Sequence, residues 1–167
     1  HIVQFPYKGN GLGYLANPRQ ARRYNPTQVF TQKFDGSARV QLTQTNYSHR
    51  DVQVSPDGKW VAFVADAKLR SDSVVQAEAD SLALLPFDKV RDAAPRNDNE
   101  IFVMPVAGGE PRKLATIQGD ESQLEWSPDS RSLAFISRPT RTSNAVLLVA
   151  DATSGATRNM TPKWQYE

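Results

Sequence analysis

The side chains that could support catalysis are few in this chain. Its histidines are His1 and His49, and it has no cysteine, so thiolate nucleophiles, disulfides and cysteine-ligated metals are excluded. Ser55 and Ser127 each stand before Pro-Asp in a repeated phrase. Because a repeated Ser-Pro-Asp sequence is typical of a turn, we interpret both serines as structural and not as nucleophiles.

Three other side chains could contact a substrate. Arg91 and Arg96 lie in a charged stretch, from which a guanidinium could reach a carbonyl or a carboxylate; surface solubility is the other interpretation. His49 precedes a predicted strand, where it could face a central channel or lie in a surface loop. An oxygen-rich cluster has spacing unlike a calcium loop, so we predict a solvated loop or a capping turn there, and no metal or cofactor; it comprises Asp92, Asn97, Asp98, Asn99 and Glu100.

A repeated phrase in the sequence predicts strands and turns that would position these side chains. Residues 54–64, Val-Ser-Pro-Asp-Gly-Lys-Trp-Val-Ala-Phe-Val, recur as residues 126–136, Trp-Ser-Pro-Asp-Ser-Arg-Ser-Leu-Ala-Phe-Ile. Each copy predicts a strand end, a tight turn and a near-continuous apolar strand that is buried on both faces. Trp60 and Trp126 are expected to pack between sheets.

Each copy is followed by a third apolar strand, a glycine-bearing turn and a polar fourth strand, which is typical of a propeller blade. Upstream, Gln28 to Lys33 and Ala38 to Thr43 repeat the third and fourth strands, and Gly11 to Ala16 is a degenerate second strand. We predict an all-β partial β-propeller of about three four-stranded antiparallel blades. The predicted units are a degenerate first blade at residues 1–46, a second blade at 47–118, a third at 119–162 and the start of a further blade at 163–167.

The spacing of the repeat predicts a helical insertion in the second blade. Ser55 and Ser127 stand 72 residues apart (127 − 55), whereas a propeller repeat usually takes about 40–50 residues. The excess falls at about residues 68–98. Within it, Ser71 to Leu85 reads as a helix that Ser71 or Asp72 caps and Pro86 ends. Three blades do not close a ring, so further blades, from the parent protein or from another chain, are expected to complete it.

The composition bears on which classes of partner the chain could bind. The net charge is +2, with basic and acidic residues interspersed, which argues against nucleic acid as a partner. No apolar run approaches the roughly 20 residues of a membrane span. The sequence begins without Met and without a signal pattern, so the compartment stays unknown, with a periplasmic or secreted location slightly favoured.

The phrase Trp-Ser-Pro-Asp-Gly/Ser-x-x-Leu/Val-Ala-Phe and the stretch from Asn97 to Leu114 resemble the propeller repeat shared by TolB-like proteins and the prolyl oligopeptidase family of serine peptidases. The second stretch is most similar to the acylaminoacyl-peptidase and dipeptidyl-peptidase branch. The resemblance covers about residues 28–162. It implies a propeller over a separate α/β-hydrolase domain that carries a Ser-His-Asp triad. This chain has no Gly-x-Ser-x-Gly elbow, so no catalytic residue carries over.

The resemblance also draws attention to Glu78. In dipeptidyl peptidases of this family, a pair of acidic residues on a propeller helix binds the peptide ammonium, a task that suits carboxylates. Here Glu78 and Asp80 are two residues apart and diverge by about 200° on a helix. Glu78 alone is therefore kept as a candidate, beside the alternative of a solvated helix face.

The resulting hypothesis is a propeller segment of a serine peptidase. It would gate and position short peptides for hydrolysis by an α/β-hydrolase domain outside this chain, and whether the whole is an enzyme stays open. Its expected partners are the remaining blades, the hydrolase domain and a peptide substrate, with a homo-oligomer of the parent kept open. The alternative is a TolB-like propeller that acts as a non-enzymatic protein-interaction module.

Overall fold

The computed structural model describes residues 26–86, 98–117, 119–140 and 142–162 in full, and residues 3–6 and 11–16 by their backbone. The chain forms three antiparallel sheets of four strands, each a simple meander. The first contains β1 (Val3–Pro6), β2 (Gly11–Ala16), β3 (Gln28–Lys33) and β4 (Val40–Gln41). The second contains β5 (Arg50–Val54), β6 (Trp60–Asp66), β7 (Asn99–Pro105) and β8 (Arg112–Lys113). The third contains β9 (Asp120–Trp126), β10 (Ser132–Arg138), β11 (Val146–Asp151) and β12 (Thr157–Asn159).

A helix, α1 (Asp72–Ala83), is inserted between β6 and β7 of the second sheet. The predicted fold class, three four-stranded antiparallel sheets with a helical insertion, is confirmed. No helix among the described residues is both long and apolar enough to pass through a membrane.

Serine hydroxyls hold the repeated turns together. Ser55 Oγ donates to Asp57 Oδ1 at 2.6 Å and accepts the backbone N–H of Trp60 at 2.9 Å. Ser127 makes the same two bonds in the second copy, also at 2.6 and 2.9 Å. Both hydroxyls are therefore committed to closing the turn between the first and second strands of a sheet, as expected for structural serines.

The core consists of two apolar layers, one between each pair of neighbouring sheets. Strand β6 is buried on both faces: Val61 and Phe63 pack towards the first sheet, and Ala62 and Val64 pack towards the third. This double burial is the reason that the strand is apolar without alternation. Trp126 is buried in the second layer, as expected for packing between sheets, and its Nε1 donates to the backbone oxygen of Gln53 at 3.3 Å.

Trp60 departs from the expectation of packing between sheets. It is the first residue of β6 and remains 37% exposed. The prediction therefore holds for Trp126 and is wrong for Trp60, which belongs to neither core layer.

The first strands of the second and third sheets carry matching bulges. Asp51 in β5 and Gln123 in β9 both have positive φ, at 47° and 57°, and the strand register shifts in the same region of each strand. Asp51 Oδ2 accepts the backbone N–H of Gln123 at 2.8 Å. The two bulges are thus bonded to one another, which fixes the stagger between neighbouring sheets.

One face of the third sheet is left partly open. In the second sheet, four apolar side chains that face the third sheet are almost fully buried: Ala62, Val64, Ile101 and Val103. The four residues at the same register positions of the third sheet are only half-buried: Ala134, Ile136, Leu147 and Val149. The outer face of the third sheet therefore has the residue types of an inter-sheet contact without the burial of one.

Candidate functional site

The inserted helix is anchored at its beginning by side chains of the second sheet and its neighbours. Asp66, the last residue of β6, accepts the backbone N–H groups of Lys68 and Arg70, both at 3.0 Å, and so turns the chain towards the helix. Ser71 caps the helix. Asp72 accepts the backbone N–H and the hydroxyl of Ser48 at 2.7 and 2.5 Å. A carboxylate in the first helical turn also suits the partial positive charge there.

The helix carries an apolar groove on its surface. None of its side chains is buried. A shallow groove of about 520 Å³ lies along one face, where residues three and four apart meet; it is lined by Val74, Ala77, Glu78, Ser81 and Leu82. The groove therefore combines aliphatic side chains with one carboxylate, an arrangement that can hold the end of a peptide.

Glu78 is the charged group of the groove, and it is shared with a guanidinium. Arg70 Nη1 donates to Glu78 Oε2, and Arg70 Nη2 donates to Asp66 Oδ1 at 2.6 Å. The hydrogen bond to Asp66, more than the bond to Glu78, raises the pKa of Arg70 above its usual range, although burial opposes the rise. Arg70 is therefore a permanent cation between two carboxylates. The side chain of Glu78 is 56% exposed, so the ion pair is weak enough for another cation to compete.

Asp80 does not join this group. Its Oδ1 accepts from Gln76 Nε2 at 2.7 Å, along the helix and away from the groove. Glu78 thus stands alone at the groove, in keeping with the angular separation predicted for residues two apart.

His49 lies elsewhere than either position expected for it. It is 0% exposed, and its ring packs between Tyr47 and Phe63 at centroid distances of 5.0 and 4.7 Å. Its Nδ1 is 2.7 Å from the backbone oxygen of Thr27, and burial lowers its pKa. The expectation of a channel-facing or surface-loop histidine is wrong, because the residue belongs to the contact between the first and second sheets.

The remaining predicted groups divide between described and undescribed residues. Arg91, Arg96, Asp92 and Asn97 lie outside the described residues, so the roles of the two arginines stay predictions. The solvated loop predicted around Asn99 and Glu100 is wrong for these two residues, which are buried in β7. The side-chain amide of Asn99 accepts from Arg50 and donates to Asp120. Within the part of the chain that the structure describes, no group of three or more acidic, histidine or cysteine side chains could hold a metal ion.

Sequence reasoning missed two buried carboxylic acids, Glu100 near the start of β7 and Glu121 near the start of β9. The sequence offered one indication, the 72-residue offset of the repeat, which places Glu121 at the same position of its blade as His49 (121 − 49). A polar residue at the start of a strand gives no other sign that a neighbouring sheet covers it.

Known proteins share parts of this sequence and of this fold. No protein-family model matches the chain. In sequence it is similar to the Probable dipeptidyl-peptidase 5 of Aspergillus terreus, with 38% identity over 87 residues, which cover 51% of this chain and 10% of that protein. In structure it is similar to an acylaminoacyl peptidase of Pyrococcus horikoshii, with 15% identity, a TM-score of 0.58, and coverage of 93% of this chain and 24% of that one. It is also similar to a protein assigned as TolB from Agrobacterium tumefaciens, with 13% identity, a TM-score of 0.63, and coverage of 95% and 48%.

The fold thus defines a portion of a β-propeller with TolB-like repeats. The sequence match to a dipeptidyl-peptidase confirms the resemblance to peptidases of this family, and the likeness of fold to an acylaminoacyl peptidase confirms the propeller architecture. The chain matches about a tenth of the length of the first protein and spans about a quarter of the second.

Proposed function

We propose that this chain is the propeller portion of a serine peptidase, in which it gates and positions short peptides for hydrolysis by a separate α/β-hydrolase domain. The observation that carries the proposal is the 38% identity to a dipeptidyl-peptidase over half of the chain. The helical insertion adds to it, because it places a carboxylate beside an apolar groove on the surface of a propeller blade.

The gating step needs rigidity more than chemistry. A closed ring of sheets excludes folded proteins by size, whereas an extended peptide can pass along a channel or around an edge. The half-buried apolar face of the third sheet supports a further blade at that side, since closure of a propeller buries such faces. The nucleophile would come from another part of the parent, because this sequence lacks the Gly-x-Ser-x-Gly elbow.

Labelling of the full-length parent with a serine-reactive fluorophosphonate tests the peptidase assignment. We expect covalent labelling at a serine outside residues 1–167. We also expect hydrolysis of short peptides, with little cleavage of a folded protein that contains the same peptide sequences. Both serines of the repeated turns should stay unlabelled, because their hydroxyls are bonded within the turns. A parent that is neither labelled nor active on peptides would overturn the assignment.

That negative outcome would favour a TolB-like module that binds proteins without catalysis. The observation in its favour is the likeness of fold to the TolB-assigned protein, at a TM-score of 0.63. Peptidases and TolB-like proteins share this repeat, so the fold alone does not separate them.

The positioning role of Glu78 gives a second prediction. In an active parent, Glu78→Gln should raise KM roughly fivefold for peptides with a free amino end, the effect of losing about 1 kcal/mol of exposed charged contact. The change should leave KM for amino-acetylated peptides unaltered, since these have no ammonium to bind. Initial-rate kinetics with the paired substrates measures the difference.

Asp80→Asn is the matched control, because Asp80 lies on the same helix but points away from the groove. It should leave KM for both kinds of peptide unchanged. Equal rises for free and acetylated peptides, or the same effect from Asp80→Asn, would show that Glu78 does not bind the amino end.

A further inference from the structure

His49 is enclosed in the contact between the first and second blades. It is fully buried, and its ring contacts the rings of Tyr47 and Phe63, both of which belong to the apolar layer between these blades. The contact with Phe63 is edge-on. A side chain that can gain a charge therefore lies among aromatic and aliphatic neighbours, where a charge is costly.

One nitrogen of the His49 ring is hydrogen-bonded and the other is not. Nδ1 is 2.7 Å from the backbone oxygen of Thr27, which directly precedes β3 of the first blade. Because a carbonyl oxygen can only accept, Nδ1 carries a hydrogen and donates it. Nε2 is buried and has no hydrogen-bond partner. The neutral ring therefore has its hydrogen on Nδ1 and an unused lone pair on Nε2.

A proton added to Nε2 would create a buried N–H without an acceptor. Such a donor costs about 1–3 kcal/mol, and more when the group is charged. The bond to Thr27 forms in either charge state of the ring, so it does not offset this cost. Burial accordingly lowers the pKa of His49, although the bond to Thr27 and the charge of Asp72 oppose the change.

Asp72 is the carboxylate whose charge acts on His49, and its oxygens already have partners. It lies at the start of α1, where it accepts the backbone N–H and the hydroxyl of Ser48. Its attraction for a charged ring is smaller than the penalty of burial. Ser48 directly precedes His49, so the residue that anchors the helix is adjacent to the buried ring.

The other titratable groups on the elements around His49 are neutral or have partners elsewhere. Burial raises the pKa of the Tyr47 phenol, which keeps it uncharged. On the first blade, β1 and β2 contain no charged residue, and Lys33 is at the far end of β3. Three charged side chains of the second blade have bonds of their own: Arg50 to Asn99, Asp51 to Gln123 and Glu100 to Lys113.

We propose that His49 forms an acid-sensitive latch, which holds the first and second blades together while its ring is neutral and weakens when acid adds a proton to Nε2. Opening the contact gives the new N–H water as an acceptor, so the open form binds the proton more strongly. Helix α1 is expected to loosen with the contact, because its first residue is bonded to Ser48. The latch does not depend on the peptidase assignment.

The direction of the pH effect follows from linkage. In the open form His49 regains its ordinary pKa of about 6.5, whereas its pKa in the closed contact is lower. The contribution of the neutral ring is therefore fully present above about pH 6.5, and it is lost as pH falls from there towards the lowered pKa. Uptake of one proton changes the opening equilibrium by up to about tenfold per pH unit in this window.

Hydrogen exchange of the full-length protein, followed by mass spectrometry between about pH 4.5 and 8, tests the latch. After correction for the intrinsic pH dependence of exchange, protection of peptides that span β3 and β5 should be constant above about pH 6.5. Below that pH it should fall by up to about tenfold per unit. Peptides from β10 and β11, in the third blade, should show no such fall.

Two variants remove the titration in different ways. His49→Asn places an amide nitrogen near the position of Nδ1 and so keeps a donor for Thr27, whereas His49→Phe keeps a packed ring. Both should lose the fall in protection at acidic pH, and either serves if the other does not fold. Tyr47→Phe, which retains an aromatic ring against His49, is the control and should keep the wild-type slope.

Deuterium exchange at the imidazole Cε1–H, read by mass spectrometry, measures the protonation of His49 itself. It should give a pKa below the ordinary value of about 6.5 in wild-type protein and in Tyr47→Phe. The proposal is wrong if His49 titrates at its ordinary pKa, or if wild-type protection of β3 and β5 does not fall at acidic pH. It is equally wrong if His49→Asn and His49→Phe both retain that fall.

Discussion

Replacing Gly155 with alanine is expected to destabilise the contact between the second and third blades by about 3 kcal/mol. This loss combines the penalty of a left-handed backbone conformation with that of an overpacked contact. Gly155 has a φ of 73°, a conformation that suits glycine. An added Cβ would lie 2.0 Å from the backbone oxygen of Leu114 in the second blade. That oxygen cannot move freely, because the N–H of Leu114 is bonded to Ile101 at 2.8 Å.

Gly36→Ala is the matched control for this prediction. Gly36 also lies in a turn between a third and a fourth strand, with a φ of 82°, but a Cβ there would meet nothing within 4 Å. It should therefore show the backbone penalty alone, about 1 kcal/mol. Hydrogen exchange of β11 and β12 in the full-length protein, compared with that of β3 and β4, measures both losses. Equal losses would mean that the turn of Gly155 does not bear on the neighbouring blade.

The parts of the fold that were predictable are those that short stretches of chain determine. The Ser-Pro-Asp turn forms from its own serine and aspartate, and the helix begins at a serine that caps it. Apolarity without alternation predicted that β6 would be buried on both faces, and its side chains divide between the two core layers. For the turn and the cap, both partners of the interaction lie within a few residues of each other, and for β6 the apolar pattern is complete within a single strand.

The candidate site was predictable only in part, because its electrostatics depend on residues that the fold brings together. Glu78 was recognised as a lone carboxylate, but its ion pair with Arg70 depends on the turn that Asp66 imposes before the helix. The burial of His49 depends on Thr27, which directly precedes β3 of the first sheet, and on Phe63 in the second sheet. No local pattern distinguishes such a histidine from one in a surface loop.

The open face of the third sheet leads to the second large effect. In the full-length protein, Leu147→Ala is expected to destabilise β11 by about 2–5 kcal/mol, the usual range for removing a large buried aliphatic side chain. Leu147 is only half-buried within the described residues. Its counterpart in the second blade, Ile101, is 2% exposed because the third blade covers it. A further blade would cover Leu147 in the same way.

Ile101→Ala and Leu84→Ala bracket this result. Ile101→Ala should show the full loss whether or not a further blade is present, while Leu84, at the end of the helix and 87% exposed, should show a loss near zero. Hydrogen exchange of the corresponding strands in the full-length protein ranks the three variants. A loss for Leu147→Ala close to that for Ile101→Ala places a further blade against the third sheet. A loss close to that for Leu84→Ala would contradict a propeller that continues on this side, and with it the rigid ring that size selection of peptides requires.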